Sequence, residues 1–517
     1  MDTLLAVSVF AFLASAATTP LVRSLAFHLG MVDRPDGVRK LQKEAIPLGG
    51  GVAIFLAFTA TVVGLMTVSN PWQKNLLDNW NYYAGLLGSA ACICVVGLLD
   101  DWINLRGRQK LIGQVVAIGI LISSGLEIRR FMIFEWGVDL GVLSIPFTAF
   151  WLLGAINALN LIDGVDGLAT SIGLVFSLAL ATMAYMTGHQ ADALIALALA
   201  GSLGGFLLFN FPPARMYLGD AGSMLIGLVV GALAIRSSLK GPATVALAAP
   251  TAVWAVLIFD VSMAIVRRKL TGRSVYTTDR GHLHHTLLQR GFSGTRIVVW
   301  VGMLCAFCAA GALASIVYQN DFLAIGSAVA VICTLVLTRF FGHSECALLV
   351  RSLKSFVISL LHLPAGGDPK QEPFSSRLQG DREWDALWER LTEYAERYDL
   401  CMVQLNVNLP ALHEEYHAVW KRKHGAEQEQ MWHATLPLVN DNGHAIGRLR
   451  LAGLAESGVA LSQWMSELVS GLQSFEQQVQ QLAAPTTVRP VSDHGTYLQP
   501  YGQTPSGKTT QARQPVS

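Results

Sequence analysis

The amino-acid sequence predicts an all-α polytopic membrane protein with about eleven transmembrane helices, followed by a small C-terminal cytoplasmic α+β domain. Of the 517 residues, 52% are hydrophobic and only 14% are charged, whereas soluble globular chains carry about 25% charged residues. Apolar runs of roughly 20 residues, the length that crosses a bilayer, recur up to about residue 341. The net charge of +1 and the lack of a long basic run give no indication of nucleic-acid binding.

The apolar runs set the predicted spans. They lie near residues 3–22, 48–69, 82–99, 111–127, 144–161, 168–187, 190–209, 219–236, 242–266, 297–318 and 321–341. The first run resembles a signal peptide, but no basic residue precedes it and Arg23 follows it. That charge pattern favours a first membrane helix with its N-terminus outside. Between the fourth and fifth spans, Phe131–Val142 is predicted to form a short hairpin.

The distribution of Lys and Arg predicts the orientation. With the N-terminus outside, the inside loops hold most of these residues, including Arg267-Arg268-Lys269. The predicted outside loops hold only Lys74, Arg129, Arg130, Arg236 and Lys240. This asymmetry follows the positive-inside rule and places the C-terminus in the cytoplasm.

Composition also divides the chain into domains. We predict a membrane domain at 1–341, an amphipathic connector and linker at 342–380, an α+β module at 381–483 and a disordered tail at 484–517. In the module, Arg382–Tyr398 has the spacing of a helix, and Cys401–Val407 alternates as a strand does.

Two further patterns complete the module. Trp432–Val439 and Ile446–Leu451 flank an Asn-Asp-Asn-Gly turn and predict a hairpin, and Leu461–Leu482 predicts a helix. The pattern loosely resembles a GAF- or PAS-like sensor. Its ligand or protein partner is left open by the sequence.

Acidic residues at the ends of the apolar runs are the strongest functional signal. A carboxylate beside hydrocarbon is costly and marks a working site in most cases. Asp100 and Asp101 end the third span. Adjacent aspartates at a helix end can bind a divalent cation or accept a proton from a phosphate or hydroxyl. A solvated helix end with local salt bridges is the alternative.

A second polar motif follows the fifth span. Asn157, Asn160 and Asp163 recur every three residues and therefore share one helix face. Asp166 follows, and glycines at 164 and 167 permit a tight backbone turn. These side chains offer oxygen ligands for Mg²⁺ and hydrogen-bond partners for a base or sugar. The alternative, a glycine-rich packing turn, does not account for four polar side chains.

The eighth span opens on Gly219-Asp220-Ala221-Gly222. Backbone N–H groups at a helix N-terminus favour phosphate, and Asp220 adds a hard anionic metal ligand. The alternative is an ordinary N-cap aspartate.

Two cytoplasmic loops carry cations. The loop after Arg267-Arg268-Lys269 contains Arg280, His282, His284 and His285, and its cations are suited to diphosphate oxygens. A zinc site is the alternative, but no further ligand group lies nearby in sequence. Before the second span, Arg39, Lys40 and Lys43 are predicted to hold a lipid phosphate or to attract anionic head groups.

Together, in this order, the five motifs resemble the polyprenyl-phosphate N-acetylhexosamine-1-phosphate transferases. The likeness is strongest to the WecA-type undecaprenyl-phosphate N-acetylglucosamine-1-phosphate transferases, relatives of the MraY translocases. It covers about residues 1–341, and the His-Leu-His-His form of the loop points to the WecA branch. The chain departs from the family pattern at Gln42, where the family has His, and in carrying the module at 381–483.

The resemblance implies Mg²⁺- or Mn²⁺-dependent transfer of a sugar-1-phosphate from a UDP-N-acetylhexosamine to undecaprenyl phosphate in the bacterial inner membrane, with release of UMP. It also implies a homodimer. By position, the implied metal ligands are Asp220 and Asn160, and the implied catalytic residues are Asp100, Asp101, Asp163 and Asp166. Implied donor contacts are Asn157, Asp163, Arg280, His282, His284 and His285, and implied lipid-phosphate contacts are Arg39, Lys40 and Lys43.

Three other kinds of protein could carry some of these features. A phospho-N-acetylmuramoyl-pentapeptide translocase would use the same chemistry on another donor. An ion-coupled transporter would place its polar site near the bilayer midplane at broken helices, whereas these carboxylates lie at predicted cytoplasmic ends. A signalling protein with residues 381–483 as its output leaves the five motifs unexplained.

Overall fold

In this computed structural model the described residues are 2–34, 45–133, 136–241, 244–270, 281–347, 349–350, 353, 374–379, 383–409, 414–422, 431–439, 445–454, 470, 472, 475 and 477–483. They fall into two compact units. The first holds the described residues up to 353, and the second holds those from 383 onward. The residues of the strand at 374–379 are divided between the two.

The first unit is helical. Its helices are α1 Asp2–His28, α2 Gly50–Thr67, α3 Gln73–Asp78, α4 Trp80–Ile103, α5 Gly107–Ser123, α6 Ser144–Ile162, α7 Leu168–Met186, α8 Gln190–Asn210, α9 Gly219–Ser237, α10 Ala248–Val253, α11 Ala255–Leu270, α12 Leu283–Gln289, α13 Gly294–Val317 and α14 Asp321–Leu337. Among the described residues, eight helices are long and apolar enough to cross a membrane: α1, α2, α4, α6 to α9 and α13. A polytopic membrane protein is therefore confirmed, while the count of eleven spans is not.

The other three predicted spans take shorter forms. The fourth is α5 and the eleventh is α14, and each has 17 residues. The ninth, 242–266, was wrong as a continuous helix, because its first part contains the strand Thr244–Ala246 and the helix is interrupted at Trp254. A short apolar stretch such as Thr-Val-Ala fits strand and helix equally well, so hydropathy alone does not separate them.

Helix α9 lies at the centre of the first unit, and almost all of its residues are buried. An apolar surface on every side is what a central helix requires. Glycines let its neighbours approach closely. A Cβ at Gly97 of α4 would lie 2.4 Å from the Cα of Ala221, and one at Gly227 would lie 2.6 Å from the Cα of Ile156 in α6. The polar ends of α4, α6 and α9 are brought together by this packing.

Helix α1 is part of the same bundle. It packs along α8, where Gly201 and Gly205 leave room for its backbone. A Cβ at Gly201 would lie 2.4 Å from the carbonyl oxygen of Ser8. Small residues four apart permit this kind of close contact between membrane helices. The first apolar run thus behaves as a bundle helix.

Short strands lie between the helices. β1 Val32–Asp33 pairs with β2 Ile46–Pro47, on either side of residues 35–44. β3 Arg130–Ile133 and β4 Trp136–Asp139 form the hairpin predicted at Phe131–Val142, which is confirmed. With β5 Leu239–Gly241 and β6 Thr244–Ala246 they make a sheet of order β4-β3-β6-β5.

The second unit has four antiparallel strands and a helix packed on them. Its elements are α15 Trp384–Arg397, β8 Met402–Leu409, β9 Glu414–Lys421, β10 Met431–Val439 and β11 Ala445–Leu454, and the strand β7 Phe374–Gln379, whose residues are divided between the units, completes the sheet order β10-β11-β8-β9-β7. The hairpin predicted at 432–451 is confirmed as β10 and β11. Trp384 and Trp388 of α15 are buried in the core with the inward residues of the strands.

The ends of this unit are described in part. Of the helix predicted at Leu461–Leu482, residues 477–483 are described and helical. The tail at 484–517 and most of the connector at 342–380 lie outside the described residues.

Candidate active site

Four helix ends meet at one end of the bundle. Asp100 and Asp101 lie near the C-terminal end of α4, and Asn160 lies near that of α6. Lys110 lies in the first turn of α5, and Asp220 in that of α9. The C-terminal ends of α4 and α6 therefore lie at the same end of the bundle as the N-terminal ends of α5 and α9. The structure therefore brings Asp100, Asn160 and Asp220 together around Lys110, with Asp101 beside them at the start of α9.

Lys110 lies at the centre of this group. Its Nζ is 2.9 Å from Oδ2 of Asp100, 2.5 Å from Oδ2 of Asp220 and 3.0 Å from Oδ1 of Asn160. Asn160 is held in turn, because its Nδ2 donates to Oδ1 of Asp220 at 2.7 Å and to the Ser223 hydroxyl at 2.9 Å. The three oxygens around Nζ form what we call the oxygen cradle.

The oxygen cradle has the donor set of a hard divalent cation. Two carboxylates and an amide oxygen converge on one positive charge, and oxygen ligands of this kind suit Mg²⁺. No three His, Cys, Asp or Glu side chains converge on one metal position in the part of the chain that the structure describes. Asp100, Asp220 and Asn160 together offer two carboxylates and one amide oxygen. These three residues could hold a metal if the Lys110 ammonium withdraws.

Asp100 and Asp101 have different surroundings. Oδ1 of Asp101 accepts the N–H of Asp220 at 2.9 Å, and its Oδ2 accepts the N–H of Ala221 at 3.3 Å. The N-terminus of α9, expected to favour phosphate, carries this carboxylate instead. A side chain at Gly219 would collide with it, since a Cβ there would lie 2.4 Å from Oδ2 of Asp101. Asp101 therefore fixes the start of α9, while Asp100 faces the oxygen cradle.

Asn157 is paired with a residue that sequence reasoning missed. Its Nδ2 donates to Oε1 of Gln114 at 3.1 Å, and Gln114 Nε2 donates to Oδ1 of Asn157 at 3.3 Å. Gln114 is buried, and it lies one helical turn after Lys110 on α5. Lys110 and Gln114 lie four residues apart at the start of an apolar run, and this spacing could have identified both as site residues.

Asp163 and Asp166 lie in the turn between α6 and α7. Burial raises the pKa of Asp163 well above its usual range, and the nearby carboxylates of Asp220, Asp101 and Asp166 raise that pKa further. Asp166 Oδ2 accepts the N–H of Ala214 at 2.9 Å. Asp166 thereby joins this turn to the loop before α9, while Asp163 places a buried carboxyl group near the carboxylates of Asp101 and Asp220.

The rings of three histidines lie side by side and are here called the His cluster (His282, His284 and His285). The rings of His282 and His284 are parallel to within 6° at 6.1 Å, and those of His284 and His285 are 4.2 Å apart. His284 is buried against the turn after α6, where a Cβ at Gly164 would lie 2.2 Å from its Nε2. Gly164 thus admits the ring of His284.

The surroundings of His284 and His282 differ. Burial lowers the pKa of His284 well below its usual range, and His285 and His282 lower it further. Nδ1 of His282 lies 2.9 Å from Oδ2 of Asp260, whose Oδ1 accepts the N–H of Leu283 at 2.8 Å. Asp260 was also missed by sequence reasoning. Its signal was a carboxylate inside the apolar run of α11.

Four predicted site residues lie outside the described residues. They are Arg39, Lys40, Lys43 and Arg280. The glycines that follow the first loop are described, and they pack on the start of α9: Gly50 and Gly51 donate their N–H groups to the carbonyls of Tyr217 and Leu218 at 3.0 and 3.1 Å. These glycines therefore pack closely against the start of α9.

Comparison with known proteins agrees with this geometry. The model of the glycosyl transferase family 4 matches residues 83–238. A probable undecaprenyl-phosphate N-acetylglucosaminyl 1-phosphate transferase of Bacillus subtilis is 32% identical over 293 residues, which cover 55% of this chain and 78% of the relative. A decaprenyl-phosphate N-acetylglucosaminephosphotransferase of Mycobacterium tuberculosis is 35% identical, covering 59% of this chain and 80% of the relative.

A third relative represents the alternative donor. A phospho-N-acetylmuramoyl-pentapeptide-transferase of Shouchella clausii is 32% identical, covering 59% of this chain and 95% of the relative. The matched region of the family model contains the oxygen cradle and the turn after α6. On these similarities the chain belongs to glycosyl transferase family 4, among the polyprenyl-phosphate N-acetylhexosamine-1-phosphate transferases.

Proposed function

We propose that this protein transfers N-acetylglucosamine-1-phosphate from UDP-N-acetylglucosamine to undecaprenyl phosphate and releases UMP, the first step of a lipid-linked cell-envelope glycan. The oxygen cradle is the observation that carries the proposal, because it gathers the charges that a diphosphate reaction needs at one helix-bundle end. The names of the relatives supply the transferred group and the class of acceptor. Discrimination from the muramoyl-pentapeptide donor is left to the assay below.

The proposed reaction is a displacement at phosphorus. An oxygen of the lipid phosphate attacks the β-phosphorus of the donor, so a new P–O bond forms. The bond from that phosphorus to the bridging oxygen of the α-phosphate breaks, and UMP leaves with the bridging oxygen. Such reactions depend on positioning and on neutralisation of charge more than on covalent catalysis.

Each residue of the oxygen cradle has a role in this reaction. Asp100, Asp220 and Asn160 would hold Mg²⁺ or Mn²⁺, which neutralises charge on the donor diphosphate when bound. Displaced from these oxygens by the metal, the Lys110 ammonium would supply a further positive charge to the donor diphosphate. Asp100 orients the acceptor phosphate and is the candidate to accept its proton. Asp101 holds the N-terminus of α9, and with it Asp220, in position.

The donor is proposed to lie between the turn after α6 and the His cluster. Asn157 and Asp163 offer hydrogen-bond partners to the uracil and ribose. His282, His284 and His285, with Arg280 beside them in sequence, face the diphosphate and sugar. Arg39, Lys40 and Lys43 are proposed contacts of the lipid phosphate.

The orientation of the protein follows from the same proposal. With the N-terminus outside, the oxygen cradle lies on the cytoplasmic side of a bacterial inner membrane, where nucleotide sugars are made. A homodimer and a regulatory role of residues 381–483 are part of the proposal. Ion-coupled transport is disfavoured, since the carboxylates lie at helix ends and not at the midplane.

UMP release tests the proposal. Detergent-purified protein is incubated with undecaprenyl phosphate and Mg²⁺ together with UDP-N-acetylglucosamine, UDP-N-acetylgalactosamine or UDP-N-acetylmuramoyl-pentapeptide. We expect UMP with UDP-N-acetylglucosamine only, dependent on both lipid and metal. Asp220→Asn is expected to lower kcat at least about 100-fold, while the exposed control Asp78→Asn is expected to behave as wild type. UMP release with the pentapeptide donor alone would contradict the proposed donor and would indicate a phospho-N-acetylmuramoyl-pentapeptide-transferase.

A further inference from the structure

A second group of charges is buried beside the His cluster. Arg267 of α11 is 2% exposed and Glu345, which follows α14, is 4% exposed. Nη1 of Arg267 lies 3.0 Å from Oε1 of Glu345. The same guanidinium donates to the carbonyl oxygen of Gly281 through both Nη1 and Nη2, each at 3.0 Å. One guanidinium therefore joins α11, the residue before His282 and the segment after α14.

Gly281 is adapted to this contact. A Cβ at Gly281 would lie 1.6 Å from Nη1 of Arg267 and 2.2 Å from its Cζ. The guanidinium thus occupies the space that a side chain at 281 would need. The guanidinium contacts the backbone of the residue just before His282. Its two hydrogen bonds fix the orientation of the Gly281 carbonyl.

Burial makes this group different from a surface salt bridge. Taking two charges out of water is unfavourable, and their attraction offsets that penalty only when the geometry is good and other hydrogen bonds are satisfied. Removing one partner leaves the other charge buried without compensation. If Glu345 is neutralised, Arg267 is expected to turn toward water and release the carbonyl of Gly281.

Two sets of contacts hold the chain segment that begins the His cluster. Asp260 holds His282 and the N–H of Leu283 from one direction. Arg267 holds Gly281 from the other, and Glu345 holds Arg267. Asp260 and Arg267 both belong to α11, whereas Glu345 comes from beyond the last membrane helix. The position of the His cluster therefore depends on a residue outside the helices that carry the oxygen cradle.

We propose that Arg267 and Glu345 are positioning residues for the His cluster, so that the segment just after α14 is part of the catalytic unit. In this proposal they act through the backbone at Gly281, whose carbonyl oxygen accepts from the Arg267 guanidinium. The effect on donor use rests on the function proposed above. The effect on the position of the His cluster does not.

The test compares Glu345→Gln with the exposed control Glu389→Gln in the full-length protein. The first readout is the rate at which diethyl pyrocarbonate modifies His282, His284 and His285, followed by peptide mass spectrometry. The second is the KM for the UDP-sugar against the KM for undecaprenyl phosphate. For Glu345→Gln we expect His modification and donor KM to rise about tenfold, with acceptor KM unchanged. Glu389→Gln is expected to match wild type.

A second variant separates positioning from folding. Arg267→Met combined with Glu345→Met replaces the buried ion pair by apolar side chains, a change that often leaves stability intact. We expect this double variant to fold and still to show raised His modification, because no guanidinium holds Gly281. Wild-type His modification in both Glu345→Gln and the double variant would overturn the proposal. If wild type releases no UMP, the proposed function fails, and the modification rates still decide the positioning role.

Discussion

Lys110 occupies the point on which Asp100, Asn160 and Asp220 converge. These three residues were predictable, because placing a carboxylate or amide side chain beside the hydrocarbon of a membrane is unfavourable and is retained mainly where the side chain has a function. Lys110 was not, since a lysine just before an apolar run is also what the positive-inside rule predicts. Only its contacts distinguish an active-site lysine from a topology signal.

Removal of the Lys110 ammonium should strengthen metal binding to the free enzyme. In Lys110→Gln the oxygen cradle loses its internal cation, so Mn²⁺ meets less competition for the same oxygens. We expect Mn²⁺ affinity, measured by electron paramagnetic resonance without substrates, to rise about tenfold, while kcat falls at least about 100-fold. An affinity equal to that of wild type would show that the metal does not use this cradle. Arg108→Gln, on the same helix, is the control.

The buried His284 predicts a pH dependence. Its pKa is lowered in the folded protein, so the unfolded chain takes up the proton first as the pH falls. The stability that the neutral ring contributes is present above the ordinary histidine pKa of about 6.5 and is lost as the pH falls below it. We expect acidification from pH 7.5 to 5.5 to lower the Tm of wild type more than that of His284→Gln. Parallel Tm profiles of the two proteins would contradict this assignment.

At the scale of elements, close packing of helices builds the site. The sequence motifs identified most of the helices, and their boundaries follow from apolar runs bounded by polar residues. The ninth span was wrong because a short apolar strand precedes a broken helix there. The contact between the turn after α6 and the His cluster joins residues 164 and 284. Such a contact is tertiary, and no local pattern predicts it.

That contact gives a prediction about glycine. In Gly164→Ala the new methyl group would meet the ring of His284, so either the turn or the His cluster must move. We expect donor KM to rise about tenfold or more, with the Tm little changed. Gly154→Ala in α6, the helix that precedes this turn, is the matched control, because a Cβ there meets nothing within 4 Å. Equal donor KM values for the two variants would show that the turn does not support donor binding.

At the scale of the whole molecule, the chain joins a membrane transferase unit to a second unit built on an antiparallel sheet. Composition predicted the change of character after residue 341, since charged and turn-forming residues replace apolar runs. It could not predict that Glu345 contacts Arg267 beside the His cluster. Composition places the end of the membrane domain at residue 341, whereas the proposed catalytic unit extends at least to Glu345.

Truncation separates these two boundaries. A chain ending after residue 353 keeps Glu345, and we expect its UMP release to stay within about twofold of full length. A chain ending after Phe341 lacks Glu345 and should lose donor affinity as Glu345→Gln does. The KM for UDP-N-acetylglucosamine of both purified truncations provides the measurement. A folded but inactive chain ending at 353 would show that the second unit is required for catalysis.

The central claim is that a sugar-1-phosphate moves as one group to the lipid. UDP-N-acetylglucosamine labelled with ³²P in its β-phosphate distinguishes this from transfer of the sugar alone. After incubation of the protein with undecaprenyl phosphate and Mg²⁺, the lipid is extracted and counted. The proposed attack on the β-phosphorus predicts that the label enters the lipid, in amounts equal to the UMP released. Label that remains on the nucleotide, as UDP, while sugar appears on the lipid would contradict it.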